Sequence, residues 1–133
     1  MFSNPAVSPD GATVFVGSGD YNLYALNAAS GAKRWSFATR DFVYSSPALS
    51  PDGATVFVGS TDYNLYAINA VSGDKRWSFT TGGYVQSSPA ISPDGSTVFV
   101  VSADFNMYAI SAASGAKRWS FSVRSFGRYL VLH

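Results

Sequence analysis

The chain contains no cysteine and no glutamate, one glutamine at Gln86 and one histidine at His133. Without thiols there is no disulfide framework and no redox motif, and a reducing or an oxidising compartment fits equally well. Zinc and iron sites need clusters of Cys, His or Glu, which are missing. Serines are plentiful, but a serine nucleophile needs a general base held beside it, and His133 lies where chains usually fray. All eight acids are Asp, and seven fall in or beside predicted turns, Asp41 being the looser case. That placement argues against paired-carboxylate chemistry. Charge of one sign is also lacking: nine basic and eight acidic groups leave a net charge of +1, too weak a field to indicate nucleic acid or an anionic membrane as partner. No apolar run approaches the length that spans a bilayer, and Met1-Phe2-Ser3-Asn4-Pro5 has no basic region followed by an apolar core. A soluble, unexported chain is therefore expected. So is a protein with no catalytic residues, no cofactor and no metal.

What is present is repetition. Pro5–Ser46 and Pro47–Ser88 differ at ten of forty-two positions, and Pro89 opens a third copy. The third has drifted further: Val101 replaces Gly17 and Gly59, Ser111 replaces Asn27 and Asn69, and Met107 replaces Leu23 and Leu65. From Ser122 to His133 the pattern is lost. A period of this length means stacked supersecondary units. Strong helix formers are scarce while Val, Thr, Phe, Tyr and Trp abound, which makes this an all-β chain. With 47% hydrophobic residues it carries enough apolar matter to fold.

Turn signals divide each period into four short strands. Ser8-Pro9-Asp10-Gly11 supplies a fixed and a left-handed backbone angle where a turn wants them, with an Asx bond from Asp10. It separates a strand over roughly Ser3–Val7 from one over Thr13–Ser18. Gly19-Asp20-Tyr21-Asn22 leads into Leu23–Leu26, and Ala29-Ser30-Gly31 leads into Arg34–Phe37. Four antiparallel strands per period make a β-propeller blade. Blade 1 is expected over about 1–41, blade 2 over 42–83 and blade 3 over 84–125, followed by a strand-like terminal segment over 126–133.

Ala25-Leu26-Asn27-Ala28-Ala29-Ser30-Gly31-Ala32-Lys33-Arg34-Trp35 recurs as Ala67 to Trp77 and Ala109 to Trp119. It resembles the signature of quinoprotein-type (PQQ-like) β-propeller repeats, with Asn for Asp and Ser for Thr. The resemblance implies that Trp35, Trp77 and Trp119 dock between neighbouring blades, each ring stacking on a glycine-containing peptide of the motif, at Gly31, Gly73 and Gly115. It also implies an enzyme hypothesis, quinone-dependent alcohol or sugar dehydrogenation, and a family that is often periplasmic or extracellular. In those enzymes the quinone is held with calcium, an arginine, a catalytic carboxylate and, in many members, a vicinal disulfide. None of these roles maps onto a matching position here.

Other surfaces have plain readings. Asp20-Tyr21-Asn22, Asp62-Tyr63-Asn64 and Asp104-Phe105-Asn106 could be calcium-loop fragments, but calcium takes six to eight oxygens and one Asp per loop cannot supply them. They read as Asx-capped hairpins that would gather on one rim as a polar surface. Lys33-Arg34, Lys75-Arg76 and Lys117-Arg118 read as the solvated start of each outermost strand. Tyr44-Ser45-Ser46 and Gln86-Ser87-Ser88 read as the lining of a narrow wet channel. A sugar-stacking role for the Trp and Tyr rings is the weaker alternative to core packing.

Blade number sets the remaining problem. Propellers close with typically four to eight blades, and three cannot close. An open arc exposes an apolar face at each end, and head-to-tail association closes it if the rotation permits. A homodimer of six blades is favoured, with a trimer of nine second. The function expected is a non-catalytic binding or scaffold module, with protein as the outside partner. The alternatives are a truncated or degenerate piece of a quinoprotein dehydrogenase, or a recently amplified repeat array with no selected ligand.

Overall fold

Each forty-two-residue period folds into one four-stranded antiparallel sheet. The computed structural model describes residues 3–123, together with the backbone of Ser125–Phe126 and Tyr129–Leu130. Blade 1 is built from β1 (Ala6–Val7), β2 (Thr13–Gly17), β3 (Asn22–Asn27) and β4 (Lys33–Ala38). Blade 2 repeats it as β5 (Ala48–Leu49), β6 (Thr55–Gly59), β7 (Asn64–Asn69) and β8 (Lys75–Thr80). Blade 3 follows as β9 (Ala90–Ile91), β10 (Thr97–Val101), β11 (Asn106–Ser111) and β12 (Lys117–Ser122). In every sheet the strands pair in sequence order. A short hairpin of β13 (Ser125–Phe126) and β14 (Tyr129–Leu130) comes after them. The strand-like segment expected over Tyr129–Leu132 is described only at Tyr129 and Leu130, and Val131 and Leu132 lie outside the described residues.

The turns are made by the residues that signal them. At the first, the Gly11 N–H donates to the Ser8 carbonyl at 2.8 Å, and Asp10 Oδ1 accepts from the Ser8 hydroxyl at 2.6 Å and the Ala12 N–H at 2.9 Å. Gly11 takes φ +74°, which a side chain would oppose. At the third, Asn27 Oδ1 accepts from the N–H groups of Ala29 and Ser30.

The innermost strand is shorter than Ser3–Val7. Pro5 has no N–H to give a ladder, and Ser3 Oγ accepts the Gly17 N–H at 3.1 Å instead. Its counterpart Ser45 is fully buried, accepts the Gly59 N–H at 3.1 Å and donates to the Ser87 carbonyl at 3.0 Å. Ser45 thus bridges two blades rather than lining a wet channel.

The core lies between blades, not within them. One cluster joins Phe15, Leu23, Ala25, Trp35 and Val43 to Val56, Val58, Tyr66, Ile68 and Ala70. The next joins Phe57, Leu65, Ala67, Trp77 and Val85 to Val98, Val100 and Ile110. Because side chains alternate along a strand, blade 2 is covered on both faces and β6 and β7 are buried almost throughout. Among the described residues, blades 1 and 3 are covered on one face only. Val14, Val16, Tyr24 and Leu26 on blade 1, and Phe99 and Met107 on blade 3, stay partly open.

Each seam between blades turns on one indole. Trp35 is 9% exposed and Trp77 likewise. Their Nε1–H groups donate to the carbonyls of Ala70 at 3.0 Å and Ala112 at 2.9 Å in the following blade. A Cβ built on Gly73 would lie 2.7 Å from Trp35 Cδ2, and one on Gly115 the same distance from Trp77. The glycine under each ring therefore belongs to the next blade. Gly31 has no described atom within 4 Å of such a Cβ, and Trp119 is 47% exposed.

Gly31 and Gly73 share nearly the same backbone, φ +76° and +80°, so alanine at each separates strain from docking. Gly31→Ala carries the left-handed penalty of about 1–2 kcal/mol. Gly73→Ala carries that penalty plus overpacking against Trp35, about 1–3 kcal/mol more. Urea denaturation of the two variants, at a concentration low enough for single chains, measures the difference.

Candidate functional site

The three Asp-aromatic-Asn turns stand at the β2–β3, β6–β7 and β10–β11 connections. In the first, Asp20 Oδ1 accepts the Asn22 N–H at 3.1 Å and Asn22 Nδ2 at 3.2 Å, while Oδ2 accepts the Tyr24 hydroxyl. Asp62 and Asp104 repeat this with Asn64 and Tyr66, and with Asn106 and Tyr108. They add a bond from the preceding blade: the Arg40 N–H reaches Asp62 Oδ2 at 3.1 Å, and the Gly82 N–H reaches Asp104 Oδ2 at 2.9 Å. The carboxylates are thus engaged in holding their own turns and the neighbouring crossover. Among the described residues no group of three or more His, Cys, Asp or Glu side chains could hold a metal ion.

With the carboxylates bonded within their turns, the aromatic rings between them face solvent. Tyr21, Tyr63 and Phe105 are 42%, 43% and 55% exposed. All three take positive φ, at 81°, 82° and 70°. Bulky residues rarely occupy that region, and such strain tends to gather at functional sites. Tyr21 meets the exposed Phe42 edge-on at 5.4 Å, and Phe42 stacks on Tyr44 at 5.0 Å. Tyr63 meets the exposed Tyr84 at 5.8 Å.

The expected rim of Asp-aromatic-Asn turns thus also presents exposed aromatic rings. Phe42, Tyr44 and Tyr84 belong to it, although they lie about twenty residues from the turns they join. Their signal in the sequence was the recurrence of an aromatic at 42 and 84, one period apart.

The opposite edge carries the basic pairs. Arg34 Nη2 donates to the Ala12 carbonyl at 3.3 Å, and Arg76 makes the same approach to Ala54 at 3.5 Å. An open groove of about 340 Å³ lies there between blades 1 and 2, bordered by Pro9, Asp10, Arg34, Asp52, Gly53 and Val71. The docking residues Trp35 and Trp77 lie in the seams with Gly73 and Gly115, whereas Gly31 and Trp119 lie on the two open faces.

Three comparisons place this architecture. A family model described as outer membrane protein assembly factor BamB, built of PQQ repeats, matches residues 2–129. The chain belongs to this family. The crystal structure of BamB from Moraxella catarrhalis superposes with a TM-score of 0.78 at 24% identity, covering 92% of this chain and 37% of that one. That likeness is one of fold. Protein Rv3035 of Mycobacterium tuberculosis (strain ATCC 25618 / H37Rv) is 47% identical over 36 residues, 27% of this chain and 9% of the relative. The chain thus spans well under half the length of either relative.

Hydrogen bonding sets the pH response. Asp10 and Asp52 are held below the usual value of 3.8 chiefly by the hydroxyls of Ser8 and Ser50. Asp94 is lowered to about 2, first by the Ser96 N–H and then by the hydroxyls of Ser92 and Ser96. At Asp104 burial opposes ionisation, but the Tyr108 hydroxyl and the Gly82 and Asn106 N–H groups outweigh it. Tyr66 moves the other way, its phenol raised well above 10.0 by burial and then by its bond to Asp62. Lowered carboxyls stabilise the fold above the unfolded value and lose that effect as pH falls through the folded one. The raised phenol stabilises below about pH 10 and loses that effect as pH rises beyond it. Urea midpoints are expected to be flat from about pH 5 to 9, to drop between pH 4 and 2, and to drop again above pH 10.

Proposed function

We propose that the chain is a non-catalytic docking module of the PQQ-like propeller class, with protein as its partner. The observation that carries this reading is the rim, where the Asp carboxylates are bonded within their turns and strained aromatic residues face outward. Aromatic rings are enriched at protein interfaces, and rigid ones make effective anchors. The family description, an outer membrane protein assembly factor, supports a role in contact rather than turnover.

The quinone chemistry implied by the wider resemblance does not fit the donor set. The chain has no cysteine and no glutamate, and Asp20, Asp62 and Asp104 are bonded within their turns. The module is completed by association of chains, with a two-chain ring of six blades favoured over a three-chain ring of nine. Both end faces expose apolar groups that a further blade would cover.

Incubation with pyrroloquinoline quinone and calcium, followed by absorbance and dye-reduction assays on alcohols and sugars, tests the non-catalytic half. Neither a stoichiometric quinone spectrum nor turnover is expected. Both together would replace the docking reading with a dehydrogenase. Light scattering on a sizing column tests the other half, with a mass of two chains expected.

A further inference from the structure

The open faces of blades 1 and 3 are opposite halves of a seam that the chain already makes twice. Three contacts define that seam. Trp35 and Trp77 cover Gly73 and Gly115. Pro9 and Pro51 sit on the turns of Gly53 and Gly95, where a Cβ would lie 2.8 and 3.1 Å from the proline Cδ. A backbone N–H of one blade bonds Asp62 or Asp104 of the next.

Among the described residues, each contact leaves a half unfilled at an end of the arc. Trp119 is exposed, and neither Gly31 nor Gly11 has a described atom within 4 Å of a built Cβ. Asp20 is exposed, and among the described residues it receives no donor from another blade. Trp119 is already set for docking, since Phe99 holds it at 6.0 Å and 48°. Phe15 holds Trp35 at 5.9 Å and 47°, and Phe57 holds Trp77 at 5.9 Å and 45°.

We propose that a second copy of this chain docks head to tail on blade 3, placing its Gly31 under Trp119 and its Gly11 under Pro93. This rests on the two-chain reading above and adds the residues of the junction. The Ala28 carbonyl of the incoming copy stands where Ala70 and Ala112 accept the indole N–H. Blade 3 differs at one contact point: where a Cβ on Gly17 or Gly59 would lie 2.4 Å from Val43 O or Val85 Cγ1, it carries Val101, whose counterpart at residue 127 lies outside the described residues.

Sedimentation velocity of the full chain, with Trp119→Ala and Gly31→Ala, tests this over the micromolar range. Wild type is expected to form a reversible two-chain particle, which either variant weakens about tenfold, or about 1.4 kcal/mol. Thermal melts at low concentration confirm that both variants fold, and Trp119→Phe, which lacks the indole N–H, serves if the alanine variant does not. If wild type associates but neither variant shifts the constant, the proposed junction is wrong and the two-chain reading stands. If wild type stays a single chain at the highest concentration, both fail and the faces belong to blades of other sequence. A three-chain particle shifted by the same variants supports the junction and overturns the two-chain ring.

Discussion

One contact organises the molecule: an indole from the outer strand of one blade laid over a glycine peptide of the next. The glycine is needed twice over, because its backbone is left-handed and because a Cβ would enter the ring. The indole N–H then fixes the height of the next blade by its bond to Ala70 or Ala112. Burying such a ring and satisfying its polar atom stabilises the seam by an amount comparable to the truncation cost, about 3–5 kcal/mol. Since the core lies between blades, stability accrues seam by seam, as in other repeat proteins. The middle blade has two seams and each end blade one, which is why strands of nearly identical sequence differ so much in burial.

The architecture was legible because its signals are local and repeated. Pro9-Asp10-Gly11 and Asn27 with Gly31 specify turns whose bonds lie within a few residues, and three copies at one spacing specify the blade. What depended on distant neighbours was less visible. That the glycine under Trp35 is Gly73 of the next blade, not Gly31 of its own, is a fact about stacking and not about the motif. The shortness of the inner strand followed from Ser3 substituting its hydroxyl for a ladder bond, which pattern alone does not show. Nor did the sequence reveal that Gly17 and Gly59 are contact points of the seam.

The rim shows the same division. Asp, Tyr and Asn in succession suggested a polar surface, yet the two polar residues bond each other and leave the aromatic one outside. Tyr21 and Tyr63 turn outward because their backbone is left-handed, a conformation that composition does not announce for tyrosine. The partners Phe42 and Tyr84 come from the crossover to the next blade, so the aromatic pairs also clasp neighbouring blades at the rim. The rings proposed as a docking surface also clasp neighbouring blades, which would couple any partner bound at the rim to the spacing of the blades.

The most direct test of the indole-on-glycine account is hydrogen exchange at the three indole N–H groups, followed by nuclear magnetic resonance in dilute solution. Trp35 and Trp77 donate to carbonyls of the next blade, and Trp119 has no acceptor among the described residues. Two slowly exchanging indole resonances and one fast one are expected, the slow pair assigned to Trp35 and Trp77. Three resonances exchanging at one common rate would contradict the account, because the seams would then not be what holds the blades together.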